Sequence, residues 1–205
     1  MPEFARSLPE QAVDPDPLRQ FADWFEQAAG AGVPAPEAAA LATASTDGVP
    51  SVRMVLVKRA DESGFVFYSN YGSRKGLELA ANPRAALLFY WESLGRQVRI
   101  EGSVEATSPG ESAGYVRTRP RGSQLSVLAS PQSRPIESRD WLEQRVTELA
   151  TRHAGAELPL PDAWGGFRLT PDAFEFWQDR ADRLHDRLRY AGRAGGHWEI
   201  ERLAP

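Results

Sequence analysis

Short stretches in which apolar and polar residues alternate, or in which aromatic and β-branched residues dominate, recur along the chain and predict β-strands. Successive side chains of a strand point to opposite faces, so such stretches fit strands with one buried face. Strands are predicted at residues 38–45, 51–60, 64–70, 84–93, 96–107, 166–170, 174–178, 184–190 and 197–203. A turn at Asp47 and Gly48 joins the first two as a hairpin.

Other stretches carry the spacing of amphipathic helices. The first, over 16–32, has Asp16 as its N-cap, and its apolar face carries Leu18, Phe21, Trp24 and Phe25. Further helices are predicted at 73–83, 108–120, 121–130 and 137–155. Many antiparallel strands with a few helices between them predict a mainly β (α+β) fold, a closed or split β-barrel with peripheral helices.

Residues 1–15 are rich in proline and acidic residues, and we expect them to form a flexible arm before a single domain over 16–205. The chain has no apolar run as long as a membrane span, and its first residues lack the apolar core of a signal peptide. A cytoplasmic protein without a membrane partner is therefore expected.

The composition narrows the chemistry. The 205 residues include no cysteine and three histidines, and their formal net charge is −4. Without cysteine, disulfides, thiolate nucleophiles and cysteine-bound metals are excluded, and the scattered histidines predict no metal site. The mild negative charge argues against nucleic-acid binding, which needs a broad cationic surface.

One basic stretch stands out against this acidic background. In "RADRLHDRLRY", residues Arg183, His185, Arg187 and Arg189 occur at every second position, so a strand would place them on one face. Neighbouring cations repel one another unless an anion lies among them. The alternative is a solvated edge strand whose arginines serve solubility.

Two further basic stretches suggest phosphate binding. In "YGSRKGLEL", Arg74 and Lys75 stand at a helix start, where free backbone N–H groups and the helix dipole favour an anion. Arg53 and Lys58 lie in an otherwise apolar strand, where a charge needs a partner. The alternatives are an exposed helix start, a salt bridge for Arg53 and a solvent-exposed strand end for Lys58.

A third group consists of Tyr115, Arg119 and Ser123, which are four residues apart and would share one face of a continuous helix, although Pro120 interrupts it. A capped helix end with solvated arginines is the alternative. Together the three groups offer many donors for phosphate but no obvious nucleophile, metal site or carboxylate pair. Such a protein is expected to take its chemistry from a bound cofactor.

Nine motifs occur in the order and spacing of the pyridoxine/pyridoxamine 5′-phosphate oxidases, which the chain resembles from about residue 16 to its last residue. The motifs are "RMVLVK", "FYSNYGSRKG", "GRQVRIEG", "RPRGSQ", "SPQSRP", "WGGFR", "EFWQ", "RLHDR" and "RLAP". The resemblance implies a homodimeric FMN-binding split barrel with FMN at the subunit interface. It also implies oxidation of pyridoxamine or pyridoxine 5′-phosphate to pyridoxal 5′-phosphate, with O₂ as acceptor and H₂O₂ as product.

The resemblance also implies residue roles. By motif, the FMN contacts are Arg53, Met54, Lys58, Tyr68, Ser69, Arg74, Lys75, Gln97, Gln132, Ser133, Trp177 and Arg187. The substrate-phosphate cradle comprises Lys58, Tyr115, Arg119 and Ser123. Arg183 and His185 are the expected catalytic residues, which bind the substrate ring and stabilise developing charge while a hydride passes from substrate C4′ to flavin N5.

Two features depart from the family pattern. The chain has no clear equivalent of an N-terminal Arg-Arg-x-Tyr segment that can fold over the substrate. Arg53 and Lys58 also have opposite strand parity, so a bulge, a strand end or the partner subunit must bring both to one site.

Two alternatives remain open. A phenazine-biosynthesis oxidase of the same fold shares the Arg-Leu-His motif, but such relatives commonly lack the lysine matching Lys58 and parts of the Arg119 and Ser123 cradle. The second is a split-barrel protein that holds a flavin, deazaflavin or haem without turnover.

Overall fold

Eight strands and five α-helices form the part of the chain that the computed structural model describes, residues 7–193 and 196–205. The strands are β1 Ala38–Ala44, β2 Pro50–Asp61, β3 Gly64–Asn70, β4 Arg84–Trp91, β5 Arg96–Ala106, β6 Trp164–Gln178, β7 Asp186–Gly192 and β8 Trp198–Arg202. The helices are α1 Pro17–Gly30, α2 Arg74–Ala81, α3 Pro109–Thr118, α4 Arg121–Ala129 and α5 Arg139–Arg152. All five predicted helices are confirmed, as are the first five predicted strands.

The strands form one sheet in the order β3-β2-β1-β4-β5-β6-β7-β8, in which the paired strands run antiparallel. An additional pairing between β3 and β6 closes the first six strands into a barrel. β7 and β8 extend the sheet beyond the closed ring. The predicted mainly β barrel with peripheral helices is therefore confirmed.

The two strands predicted at 166–170 and 174–178 are one continuous strand, β6, so this prediction was wrong in detail. Its pairing with β5 shifts register between Glu101 and Gly102, where Asp172 is the extra residue. Proline lacks a backbone N–H and is tolerated at such a bulge, so Pro171 does not end the strand.

The strand predicted at 184–190 begins only at Asp186. Residues 181–183 form a short 3₁₀ turn, in which Asp182 and Arg183 have φ values of 57° and 60°. The prediction that Arg183 and His185 share a strand face with Arg187 and Arg189 was therefore wrong. Gln178 pairs with Asp186, so the chain must reverse between them, and these residues form the connection.

Helix α1 packs its aromatic face against the barrel. The Asp16 side chain caps the helix by accepting from the Leu18 backbone N–H at 2.9 Å. Phe21 and Trp24 are buried, and the Phe21 ring centroid lies 4.9 Å from that of Phe65 and 5.0 Å from that of Phe89. Burying one such side chain stabilises the fold by about 1.5–3 kcal/mol, so these contacts hold α1 in place.

The described part of the N-terminal segment lies against β7 and β8. Leu8 is buried, and its backbone N–H donates to Asp186 Oδ2 at 3.0 Å. Arg202 donates from Nε to Glu10 Oε1 at 2.6 Å. Residues from 7 onward thus make defined contacts, while the predicted division into an arm and a single domain stays a prediction.

No helix among residues 7–193 and 196–205 is both long and apolar enough to cross a membrane.

One outer face of the barrel is apolar and exposed. Val52 and Met54 of β2 expose 69% and 64% of their surface, and Leu88 and Tyr90 of β4 are also exposed. Between these strands lies β1, whose Ala40 is directly opposite both Met54 and Leu88. Monomeric proteins rarely expose a contiguous apolar surface of this kind, which marks an interaction site.

The pairing of β3 with β6 requires a glycine at 166. A Cβ on Gly166 would lie 2.5 Å from Thr107 Oγ1 and 2.9 Å from Tyr68 Cε1. We expect Gly166→Ala to lower the free energy of unfolding by about 1–3 kcal/mol because the crowded neighbours must shift. Gly114 in α3 has open space around it, so Gly114→Ala should be neutral or stabilising by up to about 1 kcal/mol. Urea denaturation of both variants checks this; equal stabilities would contradict it.

Candidate active site

A cavity of about 210 Å³ lies beside β2, β3 and the start of α2. Nine predicted site residues line it: Arg53, Met54, Lys58, Tyr68, Ser69, Lys75, Tyr115, Arg119 and Gln132. Val55 and Leu56 complete the lining, which contains four cationic side chains and no acidic one. The fold thus collects residues from four separate motifs, together with Tyr115, around one cavity lined by cations.

Lys75 is the most deeply placed of these cations. It is buried, and its Nζ donates to Ser69 Oγ at 2.9 Å and to Gln132 Oε1 at 3.0 Å. Burial, and then the charge of Arg53, lowers the pKa of Lys75. Its hydrogen-bond partners are neutral, so a bound anion would supply the missing countercharge.

Arg53 is held by a polar cluster below the cavity. Its guanidinium donates to Leu41 O at 3.2 Å, to Thr43 Oγ1 at 2.6 Å and to Glu78 Oε2 at 3.3 Å. Glu78 also accepts from Ser51 Oγ at 2.5 Å. The expected salt bridge of Arg53 is therefore present, and its partner is a carboxylate of α2.

A β-bulge lies at Lys58, which lines the same cavity as Arg53. The register of β2 with β3 shifts between Val57 and Arg59, so Lys58 is the extra residue. A bulge interrupts the strict alternation of side chains along a strand. A bulge was one of three arrangements that we considered for bringing Arg53 and Lys58, which have opposite strand parity, to one site. Lys58 Nζ also lies 3.2 Å from Glu37 Oε1.

Three aromatic rings form one wall near the cavity. The rings of Tyr68 and Tyr115 stack at 3.8 Å between centroids and 11° between planes, and Trp164 stacks on Tyr68 at 5.6 Å. The Arg119 guanidinium lies 5.9 Å from the Trp164 ring. Burial raises the pKa of Tyr68, so its hydroxyl stays protonated and serves as a donor.

Three predicted residues of the same motifs do not line the cavity. Arg74 is exposed and donates to Glu78 Oε1 at 2.9 Å. Ser123 lies in the first turn of α4, because α3 ends at Thr118 and Pro120 separates the two helices. Ser133 is exposed in the following loop, at a φ of 70°. Their predicted contacts are not tested by this cavity.

A second group of predicted residues forms a row across three strands. Gln97 of β5, Trp177 of β6 and Arg187 of β7 are directly opposite one another. Arg187 donates from Nε to Glu175 Oε1 at 2.8 Å. Cross-strand register thus brings three separate motifs together at one end of β6.

The predicted catalytic residues lie next to this row. The His185 ring lies 4.6 Å from the Trp177 ring, and its Nδ1 is 3.0 Å from Asp179 Oδ1 and 3.2 Å from the Arg180 backbone N. A neutral ring can accept from Arg180 there, whereas a protonated Nδ1 donates to Asp179. Arg183 is exposed, and its positive φ is a strained conformation of the kind found at functional sites.

The two groups lie far apart within one chain. Tyr68 is opposite Gly166, and Trp177 lies eleven residues further along β6. At the rise of a strand this separation is roughly 35 Å. A single subunit therefore presents two half-sites, and the roles assigned to their residues stay predictions.

The sequence interpretation missed several residues of the first half-site. Glu78, Thr43 and Ser51 hold Arg53 from below, and Trp164 extends the aromatic wall. Only Glu78 left a local signal, because it stands four residues after Arg74, the spacing of a helical ion pair.

A larger cavity of about 830 Å³ lies between α1 and the end of β2. Its floor is aromatic, with Phe21, Phe25 and Phe89, and Lys58 lines its edge as well. Its cationic side chains are mixed with Asp16, Glu26, Asp61 and Glu62, which would repel a phosphate, so the smaller cavity, whose lining has no acidic residue, is the candidate site. No group of three or more potential metal ligands occurs in the described residues.

Comparisons with known proteins identify close relatives. Residues 25–153 match the family described as pyridoxamine 5′-phosphate oxidase, and residues 164–205 match the pyridoxine 5′-phosphate oxidase C-terminal dimerisation region. The pyridoxine/pyridoxamine 5′-phosphate oxidase of Rubrobacter xylanophilus is 56% identical over 99% of this chain and 94% of its own.

Two solved structures are similar in fold. PhzG from Burkholderia lata 383, in complex with tetrahydrophenazine-1-carboxylic acid, superposes with a TM-score of 0.91 at 34% identity over 98% of both chains. A pyridoxamine 5′-phosphate oxidase-related FMN-binding protein from Nostoc punctiforme superposes with a TM-score of 0.71 at 17% identity, over 93% of this chain and 98% of its own.

The Glu78 cluster predicts a specific acid sensitivity. Hydrogen bonds from Ser51, Thr43, Arg74 and Arg53 outweigh burial and lower the pKa of Glu78 from 4.5 to about 2. Because the folded pKa is below the unfolded value, this stabilisation is present above pH 4.5 and is lost as the pH falls toward 2.

We therefore expect Glu78→Gln to be less stable than the parent protein at neutral pH, and the difference to shrink between pH 4.5 and 2. Urea denaturation across this pH range measures it. A difference that is independent of pH would contradict the assignment.

Proposed function

The chain belongs to the pyridoxamine 5′-phosphate oxidase family, and we propose on this premise that it uses FMN to oxidise pyridoxamine and pyridoxine 5′-phosphates to pyridoxal 5′-phosphate. The observation that carries the proposal is the cavity lined by Arg53, Lys58, Lys75 and Arg119 without an acidic residue. Both the cofactor and the substrates carry a phosphate, which is a dianion or nearly so at neutral pH.

The donor set fits FMN. Lys75 is a buried ammonium with neutral partners, and Ser69 and Gln132 add polar groups beside it. Arg53 adds a guanidinium, which can bind phosphate through two donors. We assign these residues to the FMN phosphate. Lys58, Tyr115 and Arg119 stay available for the phosphate of the substrate, with Ser123 as the predicted fourth member.

A homodimer completes the site. The C-terminal segment matches a dimerisation region, and the exposed apolar face of β2, β1 and β4 borders the cavity through Met54 and Leu56. In the proposed dimer, Gln97, Trp177 and Arg187 of one subunit meet the cavity of the other. The two half-sites would then form one cleft around FMN at the interface.

The chain supplies binding and orientation rather than the redox chemistry. Bound FMN would accept the hydride that leaves C4′ of the substrate. Arg183 and His185 bind the substrate ring and hold C4′ in position, and the Arg183 guanidinium suits the ionisable phenol of the ring. Tyr68, Tyr115 and Trp164 would shield one side of the cleft from water.

We propose O₂ as the final electron acceptor, which two electrons and two protons reduce to H₂O₂. The cytoplasmic location of the protein stays a prediction.

The phenazine-type alternative rests on the similarity to PhzG, whose complex contains a tetrahydrophenazine carboxylate. Lys58, Tyr115 and Arg119 favour a phosphorylated substrate, since all three line the cavity. Parallel assays with pyridoxine 5′-phosphate and a dihydrophenazine carboxylate distinguish the two functions. The proposed function predicts that pyridoxine 5′-phosphate is oxidised much faster than the dihydrophenazine carboxylate, and the phenazine-type alternative predicts the reverse.

We expect the FMN-loaded protein to lose its yellow colour when pyridoxine 5′-phosphate is added without oxygen, and to regain it when air is admitted. Arg183→Ala should retain FMN but bleach at least about a hundredfold more slowly, because a charged hydrogen-bonding partner of the substrate is lost. Arg139→Ala, in an exposed ion pair on α5, is the control.

Anaerobic absorbance spectra at 450 nm follow this reaction. Bound FMN that does not respond to the substrate would instead support a flavin-binding protein without turnover. Bleaching of Arg183→Ala at the parent rate would contradict the role assigned to Arg183.

The dimer predicts that Val52→Glu weakens both association and cofactor binding. Val52 lies in the exposed apolar face, and a buried unpaired carboxylate would be costly there. Light scattering should give the mass of a single chain, and FMN affinity should fall because the partner's half-site is lost. Ile136→Glu, at a less exposed apolar position outside this face, is the control. A dimeric Val52→Glu with parent affinity would contradict the interface.

A further inference from the structure

Glu175 of β6 is a buried carboxylate between two arginines. It accepts from Arg99 Nη2 at 2.6 Å and from Arg187 Nε at 2.8 Å, and its side chain is 9% exposed. A buried carboxylate needs such partners, because its desolvation is costly. The hydrogen bond from Arg187 is charge-assisted and belongs to the stronger class.

Arg187 has a second fixed contact, to the last residues of the chain. Its Nη1 donates to the Ala204 backbone carbonyl at 2.8 Å, and the Leu203 backbone N–H donates to the Arg187 carbonyl at 2.9 Å. The motif "RLAP" at residues 202–205 therefore packs along β7 and holds the side chain of Arg187.

These two contacts leave a defined set of free donors. A guanidinium has five N–H groups in a rigid plane. Nε and one N–H of Nη1 are engaged by Glu175 and Ala204, so their directions fix the plane of the group. The other N–H groups remain for a ligand, on a side chain that is 28% exposed.

We propose that Glu175 is a positioning residue for flavin binding. Its carboxylate, together with the Ala204 carbonyl, fixes the Arg187 guanidinium in the orientation that binds the flavin, so Glu175 acts through Arg187 without touching the cofactor. This inference rests on the proposed function, in which Arg187 contacts FMN.

The charge balance supports this role. Arg99 is shared between Glu175 and Glu101, whereas Arg187 forms its ion pair within the described residues with Glu175. Glu175 raises the pKa of Arg187 through its hydrogen bond, which keeps the guanidinium charged and in place. Removing the carboxylate would leave Arg187 charged and held through its Nη1 contact with the Ala204 carbonyl, which alone does not fix the plane of the guanidinium.

The test compares Glu175→Gln with Glu101→Gln in the purified full chain. Glu101 is the control, because it pairs with the same Arg99, within β5, at 3.0 Å but forms no ion pair with Arg187. Quenching of flavin fluorescence measures the dissociation constants of FMN and riboflavin. Riboflavin lacks the phosphate, so a change common to both ligands arises away from the phosphate site.

We expect Glu175→Gln to weaken the binding of FMN and of riboflavin by a similar factor, about tenfold or more, which corresponds to one charge-assisted hydrogen bond. The control should stay within about twofold of the parent. A loss confined to FMN, or parent affinity for both ligands, would overturn the inference.

A double-mutant cycle tests whether Glu175 acts through Arg187. Glu175→Gln should add little to the effect of Arg187→Gln, whereas fully additive effects on flavin affinity would overturn the proposal. Parent protein that binds no FMN would overturn the proposed function instead.

If Glu175→Gln does not fold, a chain ending at Leu203 removes the contact between Arg187 and the Ala204 carbonyl. A similar loss of affinity for FMN and riboflavin supports the inference, and parent affinity for both overturns it.

Discussion

Four cationic side chains around one cavity, with their carboxylate partners outside its lining, are the constraint on which the site depends. Arg53, Lys58, Lys75 and Arg119 line one cavity whose lining holds no carboxylate. Lys75 is buried among neutral donors and acceptors, and burial lowers its pKa. Such an arrangement is costly until an anion enters, which makes phosphate binding favourable without any further change of structure.

The carboxylates of the site lie behind the cations rather than among them. Glu78 holds Arg53 and Arg74 from below the cavity, and Glu175 holds Arg187 at the other half-site. Each carboxylate fixes the geometry of a guanidinium while leaving some of its donors free. This placement lets an acidic protein keep two groups of cationic donors, which is why a formal net charge of −4 gives no indication of them.

In the proposed dimer, the length of β6 would couple assembly to cofactor binding. This strand runs from the aromatic wall at Trp164 to the predicted cofactor contact at Trp177, so one subunit holds the two half-sites at opposite ends. The exposed apolar face beside the first half-site provides the area through which a second copy can bring the other half-site near. The proposed dimer would thus build the cleft from surfaces that one subunit leaves separate.

Much of this molecule follows from local sequence signals. The capping residues, helical spacing and alternating strands determined all five helices and the first five strands, and the motifs identified the family and the cationic chemistry. Periodicity failed between β6 and β7, where the alternation of Arg183, His185 and Arg187 fits a strand but Gln178 pairs with Asp186 and the chain must turn. Only the tertiary structure decided that Lys58, at a bulge, lines one cavity with Arg53, that Glu78 supports that arginine, and that the predicted site residues fall into two separate groups. The physical reason is that register, bulges and buried ion pairs depend on strands distant in sequence, and no local pattern encodes their pairing.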